Sequence, residues 1–189
     1  YQGGEESFRM AFFQVASIIS TTGYSTTDFG SWPMLSQAIL VILMFFGGCA
    51  GSTAGGVKVG RAILLVKNAA REIRYILHPR TVASVKIDGK AVDNETIRGS
   101  TSYLIVYLCI FVLSIIGIIA LNGCDLVTGF TSVASCLNNI GPGLAEVGPT
   151  SNFGILSGLS KWILSFDMLA GRLELFPILM LFSRSTWKK

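Results

Sequence analysis

The chain has 189 residues, of which 51% are hydrophobic and 14% are charged. A mean hydropathy of +0.60 is too high for an ordinary soluble domain, so a lipid bilayer is the first solvent to consider. The formal net charge of +4 could indicate a nucleic-acid partner, but the basic residues flank apolar segments. We therefore predict contact with membrane lipid and no binding of nucleic acid.

The N-terminal region predicts a short helix and a polar turn. The chain begins at Tyr1 rather than Met and shows no signal sequence, so we expect a piece of a longer polypeptide. The helix covers residues 7 to 20, with Ser7 as its N-cap, and ends at the turn TTGYS, residues 21 to 25. A helix of this length cannot cross a hydrocarbon core of ~30 Å but suits a re-entrant segment.

A glycine-rich break divides the next helical region, residues 31 to 77. An apolar run precedes GGCAGSTAGG at residues 47 to 56, and an amphipathic basic pattern follows. A helix entering from outside, at ~1.5 Å per residue, would reach this break after ~20 Å, in the inner half of the membrane. Gly51 and Gly56 have the spacing of a nucleotide-binding P-loop, but Val57 stands where that motif requires Lys, so we reject that function.

Residues 78 to 97 are predicted to form a linker with a β-hairpin. Val85 and Ile87 alternate with polar residues before Asp88-Gly89, a strong hairpin-turn signal. A solvated connector is the default interpretation of such a segment.

The distribution of charge predicts the orientation in the membrane. One region concentrates basic residues: Lys58, Arg61, Lys67, Arg71, Arg74, Arg80, Lys86, Lys90 and Arg98. The connection from residue 122 to residue 152 contains neither Lys nor Arg. By the positive-inside rule, residues 58 to 98 and the C-terminus are cytoplasmic, in a multi-pass protein of the inner (cytoplasmic) membrane.

The longest apolar run opens the second half of the chain. Residues 101 to 121 carry no charge and match the ~20 residues that cross a bilayer, so we predict a transmembrane helix over residues 99 to 122. A short helix over residues 125 to 138, a turn over residues 139 to 143 and a long helix over residues 153 to 182 follow it.

An internal repeat relates the two halves. A shift of 118 residues superimposes FFQVASIISTTGYS, residues 12 to 25, on FTSVASCLNNIGPG, residues 130 to 143. After a two-residue change in the loop, Ser31 meets Ser151. The chain therefore carries two copies of one unit, formed by a short helix, a polar glycine turn and a long helix.

The two turns would place non-helical backbone at membrane depth, which is tolerated only where it is buried in protein or lines a watery cavity. Gly23 and Gly141 permit an extended exit from each short helix, in which consecutive carbonyl oxygens replace the water around a cation. The helix C-termini, each carrying roughly half a negative charge, would point at the same spot. The alternative is that both are ordinary glycine turns between helices.

Arg172 stands in the apolar segment ILSFDMLAGRLELFPILMLF, where it stays charged and is costly to expose to lipid. Asp167 lies five residues before it and Glu174 two after it, outside the spacing of three or four that pairs side chains on a helix. We therefore expect Arg172 to face a polar cavity, opposite Ser52 in the repeat alignment. The alternative is a structural arginine bonded to backbone carbonyls.

Four segments carry a resemblance to a known family: STTGYS (20 to 25), FFGGCAGSTAGGVKV (45 to 59), NNIGPGL (138 to 144) and AGRLELFP (170 to 177). Over essentially its whole length the chain resembles the C-terminal half of the ion-conducting subunit of Trk/Ktr-type potassium uptake systems. The resemblance implies an all-α membrane protein with repeated, potassium-channel-like helix, pore-loop and helix units and a small cytoplasmic hairpin. Residues 1 to 77 would be the third repeat without its first helix, and residues 98 to 189 the complete fourth.

The resemblance also implies the site residues. The filter positions would be Thr21, Thr22, Gly23, Asn139, Ile140 and Gly141, with potassium bound at Thr21, Thr22, Asn139 and Ile140. The gate would combine Arg172 with the glycine loop, through Gly47, Gly48, Gly51, Ser52, Thr53, Gly55 and Gly56. Neither turn reads TVGYG, so passage of sodium or rubidium stays open.

The implied cargo is the potassium ion, with no organic cofactor in this chain and no enzymatic activity. The implied partners are the missing N-terminal half of the same chain, a second copy in a homodimer, and a cytosolic nucleotide-binding regulatory subunit. Two other classes stay open. A secondary transporter could bind a small solute at its broken helices, and a membrane scaffold fragment would conduct nothing.

Overall fold

The computed structural model describes residues 3–49, 51–52, 54–78, 84–87, 89–173 and residue 180. Within these residues the chain forms six α-helices, three 3-10 turns and two sheets of two strands. The helices are α1 (Gly4–Ile19), α2 (Met34–Met44), α3 (Val59–Leu77), α4 (Asn94–Asn122), α5 (Leu126–Leu137) and α6 (Gly158–Arg172). The strands are β1 (Phe46–Gly47), β2 (Val57–Lys58), β3 (Lys86–Ile87) and β4 (Lys90–Ala91).

α4 is, within the described part of the chain, the one helix long and apolar enough to cross a membrane. It has 29 residues and begins five residues before the predicted start, because Asp93 and Glu95 favour a helix N-terminus. It ends where Gly123 adopts a left-handed conformation, with φ of 62°, and donates its N–H to the Ile119 carbonyl.

The second repeat forms a closely packed unit of α4, α5 and α6. α5 is buried from Thr128 to Leu137 except at Phe130, which is half-buried. Its small side chains let the neighbouring helices approach closely, which is how helices associate where lipid removes the hydrophobic driving force. The core of this unit includes Ile118, Val133 and Leu164.

The first repeat is less enclosed. In α1, Phe8 is 71% exposed and Phe12 is 66% exposed. The inner faces of α1 and α2 form a second core, in which Ile18 and Leu40 pack with Ile140 of the other repeat. The second turn therefore completes the core of the first unit.

The short helices lie close to the predicted bounds. α1 begins at Gly4, so Ser7 is not the predicted N-cap but lies within the first turn, where its Oγ donates to the Gly3 carbonyl at 3.2 Å. Asp125 is the N-cap of α5, and its carboxylate accepts from the Val127 N–H at 3.3 Å. The predicted capping is thus wrong for the first helix.

Matching 3-10 turns correct the alignment of the two repeats. Asp28 and Asn152, which stand 124 residues apart, each cap such a turn by accepting from the N–H two residues ahead. The helices that follow, α2 and α6, also begin 124 residues apart. The predicted two-residue change in the loop is therefore wrong, and the second loop is six residues longer than the first.

The corrected alignment changes two predictions. The helix predicted over residues 153 to 182 begins only after Ser157, whose Oγ caps α6. α6 ends at Arg172, and the predicted end at residue 182 lies outside the described residues. Arg172 corresponds to Gly48 rather than to Ser52. The insertion between the turn and the cap causes both changes, because its length cannot be read from a repeat match on one side.

The predicted hairpin is present as β3 and β4, which pair antiparallel. It packs on α3 and on the start of α4 through a small core of Leu64, Val85 and Ile97. Lys67 on α3 also donates to the Lys86 carbonyl at 2.9 Å. Asp88 of the turn lies outside the described residues.

We predict that Gly171→Ala destabilises the protein. A Cβ at Gly171 would overlap the Leu137 carbonyl oxygen and lie 2.7 Å from the Asn139 amide nitrogen. Separating α6 from α5 should cost ~1–3 kcal/mol, more than the ~1 kcal/mol that alanine gains in a helix. The midpoint of heat-induced unfolding of the detergent-extracted protein should fall. Gly158→Ala, with nothing within 4 Å, is the control in the same helix, and equal midpoints would contradict the prediction.

Candidate functional site

The two polar turns close their helices with the same hydrogen bonds. The Thr22 N–H donates to the Ser17 carbonyl at 2.9 Å, and 118 residues later the Ile140 N–H donates to the Ser135 carbonyl at 2.9 Å. One residue earlier, the Thr21 N–H donates to the Ile18 carbonyl at 3.0 Å. The Asn139 N–H likewise donates to the Cys136 carbonyl at 3.1 Å. This pair of bonds is the Schellman motif, so the repeat extends to the backbone of the turns.

Both turns also hold two residues at positive φ. Thr21 has φ of 53° and Asn139 has φ of 56°, while Gly23 and Gly141 have φ of 80° and 118°. Asparagine and glycine enter such conformations readily, but a β-branched residue such as threonine rarely does. The closure of the turn therefore determines the backbone at Thr21 against the preference of its side chain.

The two turns touch each other. A Cβ at Gly23 would overlap the carbonyl oxygen of Ile140 and lie 3.5 Å from Cδ of Pro142. A Cβ at Gly141 would meet the Cα of Gly23 at 3.9 Å and nothing nearer. Residue 23 must therefore be glycine for its dihedral angles and for its contact, whereas residue 141 needs glycine for its dihedral angles alone.

Polar side chains of the short helices bind the turns. The Ser17 Oγ donates to the Tyr24 carbonyl at 2.6 Å, and the Ser135 Oγ accepts from the Gly141 N–H at 3.0 Å. Gln14, only 1% exposed, donates to the Ser25 Oγ at 2.8 Å. These contacts were not predicted from the sequence, although the match of Ser17 with Ser135 across the repeat could have indicated them.

The glycine-rich segment is a loop whose two ends are held together at its base by strand pairing. β1 and β2 pair parallel, and the Val57 N–H donates to the Phe45 carbonyl at 3.2 Å. At this base, which we call the neck, Gly47, Gly55 and Gly56 are buried. The other described loop residues predicted for the gate are exposed or half-buried: Gly48, Gly51 and Ser52. Thr53 lies outside the described residues.

The neck packs on Asn138, the C-cap residue of α5. A Cβ at Gly55 would overlap the Asn138 carbonyl, and a Cβ at Gly56 would lie 2.9 Å from the Asn138 Oδ1. Asn138 is fully buried, accepts from the Tyr107 hydroxyl at 2.8 Å and donates to the Ala134 carbonyl at 2.8 Å. The glycine loop and the second turn are therefore in direct contact.

α6 fixes the second turn from another side. The Asn139 side chain donates to the Met168 carbonyl at 3.1 Å, and Gly171 lies against the Leu137 carbonyl. Arg172 follows as the exposed last residue of α6, where a positive charge complements the helix C-terminus. Arg172 therefore directly follows Gly171, through which α6 contacts the end of α5.

Asp167 carries a buried carboxyl group whose contacts were not predicted from the sequence. Its Oδ1 accepts from the Ser114 Oγ of α4 at 2.9 Å, and its Oδ2 has no hydrogen-bond partner among the described residues. An acidic residue in an apolar run is by itself a signal for a specific role, since ionisable groups are rare within membrane segments.

A cavity of ≈ 460 Å³ lies beside the second turn. Ser135, Asn139 and Gly141 line one side of it, and α6 contributes Lys161 and Leu164. The first turn contacts the second turn at Gly23, so the second turn contacts both the first repeat and this cavity.

Comparison with known proteins places the chain in a class. The family model described as "TrkH: Cation transport protein" matches residues 3–189. The Trk system potassium uptake protein TrkH of Vibrio parahaemolyticus is 40% identical over 188 residues, which cover 100% of this chain and 38% of that protein. The protein of the same name from Escherichia coli K12 is 39% identical over 189 residues and is covered to 38%.

A solved structure of a potassium transporter has the same fold as this chain. The crystal structure of the potassium transporter TrkH from Vibrio parahaemolyticus matches with a TM-score of 0.89 and 40% identity, covering 100% of this chain and 40% of that one. The fold and its matching turns define an all-α membrane protein, as predicted. The chain belongs to the TrkH family of cation transport proteins, which confirms the resemblance to Trk/Ktr-type systems. It spans 38% of the length of the curated relatives named above.

We predict that Gly23→Ala destabilises the protein more than Gly141→Ala. Each substitution should cost ~1–3 kcal/mol because a side chain is forced into a strained backbone. Gly23→Ala should cost a further ~1–3 kcal/mol, because its methyl group displaces the Ile140 carbonyl. Heat-induced unfolding of both purified variants measures the difference. Equal losses would show that the two turns are not in contact.

Proposed function

We propose that this chain supplies two of four pore repeats in a potassium uptake protein of the cytoplasmic membrane. The observation that carries the proposal is the pair of turns with one backbone geometry, in contact at Gly23 and the Ile140 carbonyl. The similarity to proteins named for potassium uptake supports it.

The turns would act as strands of a selectivity filter. The proposed ion ligands are backbone oxygens of Thr21, Thr22, Asn139 and Ile140, which replace the water that potassium loses on entering. α1 and α5 both end at these turns, so their C-terminal dipoles favour a cation there. The membrane potential, worth ~2.3 kcal/mol per charge per 100 mV, drives inward movement without covalent chemistry.

The glycine loop and Arg172 would form the gate. The neck is buried against Asn138, while Gly51 and Ser52 are exposed, so the outer part of the loop can move on a fixed base. Arg172 stays charged, and two unit charges ~4 Å apart interact by ~4 kcal/mol at an effective dielectric constant of ~20. A barrier of that size is enough to slow a cation while leaving conduction reversible.

The remaining parts would set orientation and assembly. α3, the hairpin and the start of α4 would form a cytoplasmic platform, where a nucleotide-binding regulatory subunit docks. The exposed side chains Phe8, Phe12, Met34 and Leu35 would meet the missing N-terminal half, a second copy or lipid. Two repeats cannot close a pore, so activity requires the full-length protein.

Gly141→Ser in the full-length protein should abolish rubidium uptake or relax its selectivity, in potassium-starved cells that lack other uptake systems. The substitution strains the turn at φ of 118° without a steric overlap, so uptake is compared at equal membrane abundance. Gly158→Ser, at an open helix start, is the matched control. Unchanged uptake at equal abundance would show that residues 138 to 143 form an ordinary turn, which would contradict the proposal. Saturable uptake of an organic solute would favour a secondary transporter instead.

Arg172→Ala should raise rubidium flux and weaken its control, because the electrostatic part of the barrier is lost. Arg172→Lys keeps the charge and should stay close to the unmodified protein. Flux through reconstituted vesicles measures both. An arginine with a purely structural role predicts loss of abundance with no gain in flux for either variant.

A further inference from the structure

Asn138 joins three parts of the molecule at one buried point. It caps α5 immediately before the turn residues Asn139 to Gly141. Its backbone carbonyl faces Gly55 and its side-chain oxygen faces Gly56, both in the neck of the glycine loop. The same oxygen accepts the hydroxyl proton of Tyr107 on α4 at 2.8 Å.

The amide of Asn138 has one defined orientation. Its Nδ2 donates to the Ala134 carbonyl within α5, which leaves Oδ1 to face Tyr107 and the neck. Asn138 is 0% exposed and Tyr107 is 2% exposed, so no bulk water can replace the hydroxyl. Loss of the hydroxyl would leave a buried acceptor unsatisfied and free the amide to move toward the neck.

Tyr107 is also connected to the neck through a row of packed aromatic side chains. Its ring stacks on Phe111, with centroids 6.4 Å apart and planes at 3°. Phe111 meets Phe45 edge to face, with centroids 5.4 Å apart. Phe45 is the C-cap of α2, and its carbonyl accepts the Val57 N–H that closes the neck. Tyr107 is thus connected to the neck both through Asn138 and through Phe45.

Within the described part of the chain, the corresponding residue of the first repeat has different side-chain partners. The residue 118 positions before Asn138 is Ser20, which is exposed and bonds within its own helix, to the Ala16 carbonyl at 2.6 Å. Its hydroxyl also lies 3.3 Å from the Ser17 carbonyl and 2.7 Å from the Thr22 hydroxyl, both in the first repeat. Among the described residues, Asn138 of the second repeat contacts the glycine loop, whereas the side-chain hydrogen bonds of Ser20 stay within the first repeat.

We infer that Tyr107 is a positioning residue that couples the glycine loop to ion selection, through its hydrogen bond to Asn138. The inference rests on the proposed filter and gate. Movement of the neck shifts the Asn138 carbonyl, and Asn139, the next residue of the chain, transmits that shift to Ile140 and Gly141. The hydroxyl of Tyr107 resists the shift while the loop is closed.

The test uses Tyr107→Phe in the full-length protein, with Tyr103→Phe as the matched control. Both residues are buried on α4, and the rings stack with centroids 6.3 Å apart. The readout is the ratio of sodium to rubidium uptake at equal membrane abundance. Tyr107→Phe should raise this ratio at least threefold, and Tyr103→Phe should leave it within experimental error. Equal ratios in the two variants would overturn the inference.

A second test measures the same uptake ratio in Asn138→Ser and in the double variant Tyr107→Phe/Asn138→Ser. The double variant should show the same ratio as Asn138→Ser alone, because that substitution already removes the bond to Tyr107. Additive changes would also overturn the inference. Gly141→Ser distinguishes failure of the proposed filter from failure of the coupling through Tyr107. If it leaves uptake and selectivity unchanged, the proposed filter fails, and if it alone changes selectivity, only the coupling through Tyr107 fails.

Discussion

Backbone hydrogen bonding at the ends of two short helices is the constraint on which the rest of the structure depends. Backbone N–H and carbonyl groups at a helix end lack helical partners and need others. α1 and α5 meet this need by folding the chain back on the last helical turn, through the bonds from Thr22 to Ser17 and from Ile140 to Ser135. That closure puts two residues of each turn at positive φ and leaves the following carbonyls for contacts outside the helix.

Three glycines then surround the end of α5. Gly171 of α6 faces the Leu137 carbonyl, Gly55 of the loop neck faces the Asn138 carbonyl, and Gly23 of the first turn faces the Ile140 carbonyl. Glycine lets each neighbouring segment approach to where a methyl group would overlap the oxygen. Carbonyls at a helix end lack helical partners, so close approach of polarised Cα–H groups partly compensates them. The glycine content of the chain thus has a local, geometric reason at these points.

The sequence could predict those features that a periodic pattern encodes. The match of residues 12 to 25 with residues 130 to 143 predicted two turns of one kind, and the hydrogen bonds agree residue by residue. The uncharged run predicted α4, although the helix begins five residues earlier, at Asn94. The alignment of α2 with α6 could not be found, because six inserted residues separate the turn from the cap at Asn152. Nor could the bond between Tyr107 and Asn138 be found, since it joins residues 31 positions apart with no pattern between them.

The presence of both turns in one chain has a consequence for how the site can vary. In an assembly of identical subunits, one codon change would alter every side of the shared site at once. Here Thr21 and Asn139 occupy the same left-handed position with different side chains, and Ser20 and Asn138 differ just before it. Each side of the site can therefore acquire its own chemistry, so one turn can take on contacts with the glycine loop while the other does not.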